Sequence, residues 1–389
     1  MNRDAGKIRV LMVIKKFHRD YAGGGTERSG YRLARALVKK GVSVEIVGGR
    51  MKPGWKRREK AGDTEGPIPV SRLAHPQIRF LGTLIYNILL FFKILRNRRG
   101  YSCIHIHFAS FEMMTAVIAG HITGIPVICK IACSGGSGEI VKARKRFFSP
   151  VFFYLFRRID AAVALSEEIR SELTDAGLDK SKIRVIPNGI DPSSFLPLSP
   201  SGKRDRKKQM RLDEYDQILV FTGRLTRQKG LDILFESLRK LNNYDYLLII
   251  AGQGELEAEL KKLAVELGIG DKIRFSGPVS DVLSLYQAGD IFVLPSRQEG
   301  LSNSLLEAMS SGMKVVATGI SGSTRVIEDG ESGLLVPPED PDRLAAALKE
   351  AFRIDDSMGN KARERIISGY SVNNIADRYR DLYSELREN

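Results

Sequence analysis

Cysteine is scarce in this 389-residue sequence: Cys103, Cys129 and Cys133 are odd in number and lack metal-ligand spacing. Two of them fall in apolar, strand-like runs, where a free thiol behaves as a small hydrophobe. That usage implies a reducing cytoplasm. No signal peptide is apparent, because the apolar run at 10–14 is too short for one and leads straight into Lys15 and Lys16. Residues 80–95 read as a helix apolar on nearly every face, yet its uncharged core, 80–92, is shorter than the roughly 20 residues a bilayer span requires. Internal repeats, low-complexity tracts, a Ser-His-Asp grouping and recognised nucleic-acid motifs are also missing. The glycines after the first strand do not form G-x-G-x-x-G, since the sixth position from Gly23 is Arg28.

What is present begins with charge. Residues 1–195 hold 34 Lys and Arg against 16 Asp and Glu, a formal +18, whereas the remainder hold 27 against 30. The basic half suits an anionic partner, whether nucleic acid, a phosphorylated acceptor or an anionic membrane surface; a plain excess of solvated cations reads equally well. Short apolar runs alternate with amphipathic helices along the whole chain. That alternation predicts α/β architecture with parallel sheets covered on both faces. It occurs twice, so two Rossmann-like domains facing a cleft are expected: 1–195, then 196–371, with a helix at 372–389 crossing back to the first. Residues 50–78 read as a long basic surface loop, and the Pro-, Ser- and charge-rich stretch after Asp191 as an interdomain linker.

In open parallel sheets ligands sit beyond the carboxyl ends of the strands. Three loops placed there carry chemistry. Gly23, Gly24 and Gly25 lie between a strand and a helix, where backbone N–H groups face an anion; such glycines also mark plain turns. FTGRLTRQKG brings Arg224 and Lys229, two cations suited to a diphosphate and to the charge that builds as it leaves. EGLSNSLLE holds two carboxylates eight positions apart. Glu299 precedes the turn, nearest the phosphates and the transferred group. Glu307 lies about a turn into a helix that Ser302 or Asn303 would cap, where it can accept the two hydroxyls of a ribose. Asp340 and Asp342 form the only D-x-D and read as a helix cap rather than a metal site.

Taken in this order, HIHF, VIPNGID, FTGRLTRQKG and EGLSNSLLEAM resemble the retaining glycosyltransferases of the GT-B fold, family four, also described as glycosyl transferases group 1. The resemblance covers nearly the whole chain and is strongest from about 161 to 338. It implies a nucleotide-sugar donor, most often a UDP- or GDP-sugar, held mainly by the second domain, with no metal required. Glu307 would bind the ribose, and Arg224 and Lys229 the diphosphate. Glu299, with the backbone of Gly300, Leu301, Ser302 and Asn303, would meet the sugar and phosphates. Gly24 and Gly25 would close over the phosphate, His107 would lie near the donor sugar, and backbone around Val279 would meet the base.

The chain departs from the family at KIACSGGSGEI, where many relatives carry a histidine-glycine pair. Lys130, Ser134 and the glycines through Gly138 therefore offer another anion or acceptor site. Aromatics flanked by basic residues, at 80–95 and again at 147–156, favour a membrane-bound lipid or polysaccharide acceptor and a place on the inner face of the cell membrane. Burial of both stretches in the domain core is the other reading. A soluble sugar or sugar phosphate as acceptor, a sugar-nucleotide epimerase, and a basic nucleic-acid-binding protein are the alternatives.

Overall fold

The computed structural model describes residues 7–17, 24–50, 55–61, 67–78, 80–135 and 138–388. Their contacts divide the chain into two units. The first runs to Gly189 and resumes at Val372, and the second is Ile190–Ser371. The boundary therefore falls before 195, because 190–195 is bound into the second unit. Ile190 bridges to Ser371, and the Phe195 carbonyl accepts from the Arg363 guanidinium at 2.8 Å.

The first unit contains β1 (Arg9–Val13), α1 (Gly25–Lys39), β2 (Ser43–Arg50), β3 (Arg58–Ala61), β4 (Ile68–Ala74), α2 (Leu81–Arg96), β5 (Cys103–Ile106), α3 (Phe111–Thr123), β6 (Val127–Ile131), α4 (Glu139–Arg144), α5 (Ser149–Phe156), β7 (Ala161–Ala164), α6 (Glu167–Asp175) and β8 (Ile183–Val185). Its eight-stranded sheet has the order β3-β4-β2-β1-β5-β6-β7-β8. All pairings are parallel except β3 with β4. Strands β5, β6 and β7 are buried along their whole length, which is why they read as unbroken apolar runs.

The stretch read as a basic loop is partly sheet. Ile68 and Val70 point into the core from β4, and between them and β3 the fold buries Arg72. That guanidinium pairs with Glu59 and lies 5.2 Å from the Trp55 ring centroid. An internal ion pair of this kind makes a strand look like a charged loop when only the sequence is seen.

The second unit contains α7 (Pro200–Gln209), β9 (Gln217–Thr222), α8 (Leu231–Arg239), β10 (Tyr246–Ala251), α9 (Glu257–Glu266), β11 (Ile273–Gly277), α10 (Val282–Ala288), β12 (Ile291–Leu294), α11 (Asn303–Ser310), β13 (Lys314–Thr318), α12 (Ser321–Val326), β14 (Leu334–Val336), α13 (Pro341–Arg353) and α14 (Ser357–Gly369). Its six parallel strands run β11-β10-β9-β12-β13-β14. The supposed linker includes α7. Ser199 caps that helix by accepting from Gly202 N–H, Pro200 occupies its first turn, and Lys203 and Lys207 close on Asp290 at 2.8 and 2.7 Å. Asp340 caps α13 by accepting from the Arg343 N–H, as the D-x-D reading expects.

The last helix, α15 (Val372–Glu388), packs on α1 in the first unit. Ile375, Tyr379, Leu382 and Tyr383 share its core with Leu33 and Leu37. Among the described residues no helix is long and apolar enough to cross a membrane.

Candidate active site

Strand order reverses at β9 in the second unit, with β10 on one side and β12 on the other. The carboxyl ends of β9 and β12 thus border the crevice where an open α/β sheet receives a ligand. The loop after β9 holds Arg224 and Lys229, and the loop after β12 holds Glu299. Lys229 Nζ is paired with the Glu299 carboxylate, with side chains only 11% and 18% exposed. Arg224 is exposed; its carbonyl accepts from the Thr226 N–H at 3.0 Å, and its guanidinium has no hydrogen-bond or ion-pair partner among the described residues.

Glycines set the path of the first of these loops. Gly230 has φ +65°, and a Cβ there would stand 2.1 Å from the Pro295 carbonyl oxygen. A Cβ on Gly252, after β10, would stand 1.8 Å from the Gly223 oxygen. The backbone of three loops is therefore stacked closely beneath the two charged side chains.

Glu307 lies on α11 and is buried. Tyr286 Oη donates to its carboxylate at 3.3 Å and shares a 2.7 Å hydrogen bond with Thr222 Oγ1, at the end of β9. Ser302 occupies the N-cap position of α11 but makes no side-chain capping bond; its hydroxyl meets Ser304 Oγ at 2.9 Å instead. The tight approach at Gly300 comes from Gly322, whose Cβ would stand 2.4 Å from the Gly300 oxygen. Leu301 is buried and Asn303 opens the helix. Val279 sits half-buried in the turn after β11.

In the first unit β1 lies between β2 and β5, so the same kind of reversal falls between β1 and β5. Gly24 is the N-cap of α1 and Gly25 its first residue; Gly23 lies outside the described residues. His107 follows β5 and is fully buried. A Cβ on Gly30 of α1 would stand 3.0 Å from its Cε1, and its ring stacks on His105 at 4.4 Å. Neither ring nitrogen of His107 has a hydrogen-bond partner among the described residues. Burial, with His105 and Lys130 nearby, holds its pKa well below the usual histidine range. The ring is neutral at pH 7, with one donor and one acceptor unused.

Lys130 and Ser134 are buried as well. Lys130 Nζ donates to Asn188 Oδ1 at 2.8 Å, and burial draws its pKa down to about 8. Three backbone donors in the loop beyond it are occupied. Glu139 accepts from the N–H groups of Ala132 and Cys133, each at 3.1 Å, and Glu172 from that of Gly135 at 3.3 Å. Of the predicted stretch Lys130, Ser134 and the glycines through Gly138, the Gly135 N–H is thus taken by a protein carboxylate. Among the described residues no cluster of His, Cys, Asp or Glu is arranged to hold a metal ion.

Comparison with known proteins settles the family. The profile described as "Glycosyl transferases group 1" matches residues 202–369, and that described as "Glycosyltransferase Family 4" matches residues 23–194. The chain belongs to the family 4, group 1 glycosyltransferases. This glycosyltransferase is 26% identical over 326 residues to the UDP-Gal:alpha-D-GlcNAc-diphosphoundecaprenol alpha-1,3-galactosyltransferase of Escherichia coli, covering 79% of this chain and 83% of that one. It is likewise 26% identical over 399 residues to the D-inositol 3-phosphate glycosyltransferase of Acidothermus cellulolyticus, covering 92% and 85%. Its fold matches the crystal structure of Anabaena HepE in complex with UDP and glucose, a GT-B glycosyltransferase, with TM-score 0.79 across 97% of this chain and 100% of that chain; at 20% identity the likeness is one of fold.

In the glycosyltransferase, one residue that sequence reasoning missed staples the two charged loops. Arg297 donates to both oxygens of Asp232 at 2.7 Å, to the Arg227 carbonyl at 2.8 Å and to Glu339. Hydrogen bonds to Asp232 and Glu339 raise its pKa above the ordinary arginine value. Arg297→Met is expected to lower stability by about 1–2 kcal/mol, the carboxylates being partly exposed. It should also raise KM for the donor, since the loops lose their registration. Urea unfolding and initial rates check both; unchanged values in each would remove the staple from the account.

Proposed function

We propose that this glycosyltransferase is a retaining hexosyl- or N-acetylhexosaminyltransferase working from a UDP- or GDP-sugar. The acceptor is a lipid-linked or growing glycan of cell-envelope or exopolysaccharide synthesis, met at the cytoplasmic face of the membrane. The observation that carries the reading is the Lys229–Glu299 pair at the β9–β12 reversal, with Glu307 tied through Tyr286 to the end of β9 and Arg224 on the same loop as Lys229.

In this reading Glu307, fixed by Tyr286, takes the ribose hydroxyls, and Val279 backbone meets the base. Arg224 and Lys229 face the diphosphate. Lys229 exchanges its carboxylate for phosphate when the donor binds, and Glu299 is thereby released toward the sugar, together with the backbone of Gly300, Leu301, Ser302 and Asn303. Gly24 and Gly25 are assigned to the phosphates and neutral His107 to a sugar hydroxyl. The leaving phosphate takes the acceptor's proton on the same face, so the residues supply charge stabilisation and alignment more than a tuned base. The cations of the reaction are Arg224 and Lys229, with no metal required. The named substrate of the E. coli relative, a sugar on diphosphoundecaprenol, favours a lipid-linked acceptor.

A thermal-shift screen of nucleotide sugars tests the donor. Glu307→Ala is expected to weaken nucleotide binding about 100- to 10,000-fold, the loss of two hydrogen bonds to a charged group. Glu299→Ala should mainly lower kcat. If both variants turn over normally, the assignment of this site is wrong. A new nucleotide sugar formed without acceptor would mean epimerisation instead.

A further inference from the structure

The first unit leaves one broad surface uncovered by its own fold. Helices α2, α3 and α5 pack side by side. Along α2, Tyr86, Leu90 and Ile94 face inward, while Leu84, Ile88 and Phe92, one turn apart, face out and are exposed. The helix that is apolar all round thus spends only half of its apolar surface on the core. Ile118 and Ile122 on α3, and Val151 and Tyr154 on α5, extend the exposed apolar surface across all three helices. Soluble surfaces scatter such side chains singly, and a contiguous group marks an interface.

Both ends of these helices carry further features. At the carboxyl edge of the sheet Phe80 and Phe147 are 77% and 93% exposed. Phe108 is also exposed there and directly follows His107. The Arg146 guanidinium lies 5.6 Å from the Phe111 ring centroid. Lys142, Arg144 and Lys145 are exposed beside it. At the opposite end, Arg9, Arg96, Arg98 and Arg99, with Asn97 and Gly100, line a shallow, open concavity. None of these four guanidiniums meets a carboxylate among the described residues. Four cations in one concavity repel each other until an anion enters.

We propose that this face beds onto an anionic bilayer, with the outer side chains of α2, α3 and α5 at the acyl boundary and the arginine pocket taking a lipid phosphate. Charge decides between occupants. The +18 carried by residues 1–195 opposes self-pairing of two such faces and favours a uniformly negative surface. Lying flat suits helices too short to span. The inference rests on the membrane-bound acceptor reading, and it gives that acceptor an approach: Phe108 brings the apolar surface to the residue next to His107.

The test is flotation of the full chain with vesicles of phosphatidylcholine, with or without phosphatidylglycerol. Binding only to the phosphatidylglycerol vesicles is expected. R96A, R98A and R99A combined should lower partitioning on the order of 100-fold, and I88E with F92E about tenfold or more. Both variants alter exposed positions and should keep the wild-type melt and its donor-induced shift. Wild-type protein that stays in the soluble fraction overturns the proposal, while a persisting donor-induced shift would leave the transferase reading standing. The proposal is overturned equally by a dimer in ultracentrifugation that I88E/F92E abolishes, or by an arginine variant that floats normally yet loses binding of inorganic phosphate.

Discussion

Lys229→Ala is expected to reduce kcat about 100- to 1,000-fold, the usual cost of removing one preorganised group from developing charge. Two roles are available to that ammonium. It pairs with Glu299 in the unliganded enzyme, and in the proposed reaction it faces the departing diphosphate. A purely structural role predicts damage because the mostly buried Glu299 carboxylate is left without its cation. Glu299→Gln removes that charge, so in the structural case the double variant recovers. If Lys229 acts on the leaving group, Lys229→Ala with Glu299→Gln stays at least as slow as Lys229→Ala alone. Lys229→Arg should restore only part of the rate, since a planar fork does not replace a point charge in a closely stacked loop. A loss below about fivefold in initial rates with a saturating donor would remove Lys229 from the chemistry.

The positions legible in the sequence are those that depend on one strand and the loop after it. Lys229 and Glu299 were each assigned to the carboxyl end of an apolar strand, and β9 and β12 are neighbours, so their loops meet. What sequence could not supply is support from far away. Arg297 reaches Asp232 and Glu339 across 65 and 42 positions, and Tyr286 ties Glu307 to a strand on which Thr222 lies 64 positions earlier. Two errors of architecture have the same origin. Arg72 is buried because Glu59 folds over it, and the lysines of α7 belong to a helix because Asp290 is opposite. Charge was read as solvent exposure in both. For α2 both burial and a surface position are open from sequence, because a helix apolar all round gives no sign of which face the core will take; the structure buries one face and exposes the other.

Acidification is expected to weaken the first unit through the histidines beneath its site. His105 is fully buried, its Nδ1 lies 2.8 Å from Tyr383 Oη, and its ring stacks on Tyr379 at 5.3 Å. Burial, with the Lys130 charge nearby, pushes its pKa down to about 3. The unfolded chain takes up this proton near pH 6.5 and the folded chain only near 3. The unfolded state therefore binds more protons throughout that window. Stability is complete above 6.5 and falls as pH drops toward 3, by about 2 kcal/mol at pH 5 from this residue. His107 adds in the same direction. Lys130, drawn down to about 8 from 10.5, works at the other end: stability rises as pH climbs between those values. Urea unfolding at pH 7 and pH 5 isolates the acid term when wild type is compared with His105→Phe, because every carboxylate is common to both. The phenyl ring keeps the stack and cannot titrate, so the variant should lose about 2 kcal/mol less between the two pH values. Trp55, the single tryptophan, lies in the first unit and reports its unfolding by fluorescence. Equal losses in both proteins would mean that His105 takes its proton without leaving the core. His107 beside it would then no longer be held neutral by burial, and its part as an uncharged hydrogen-bonding group toward the sugar would fall with it.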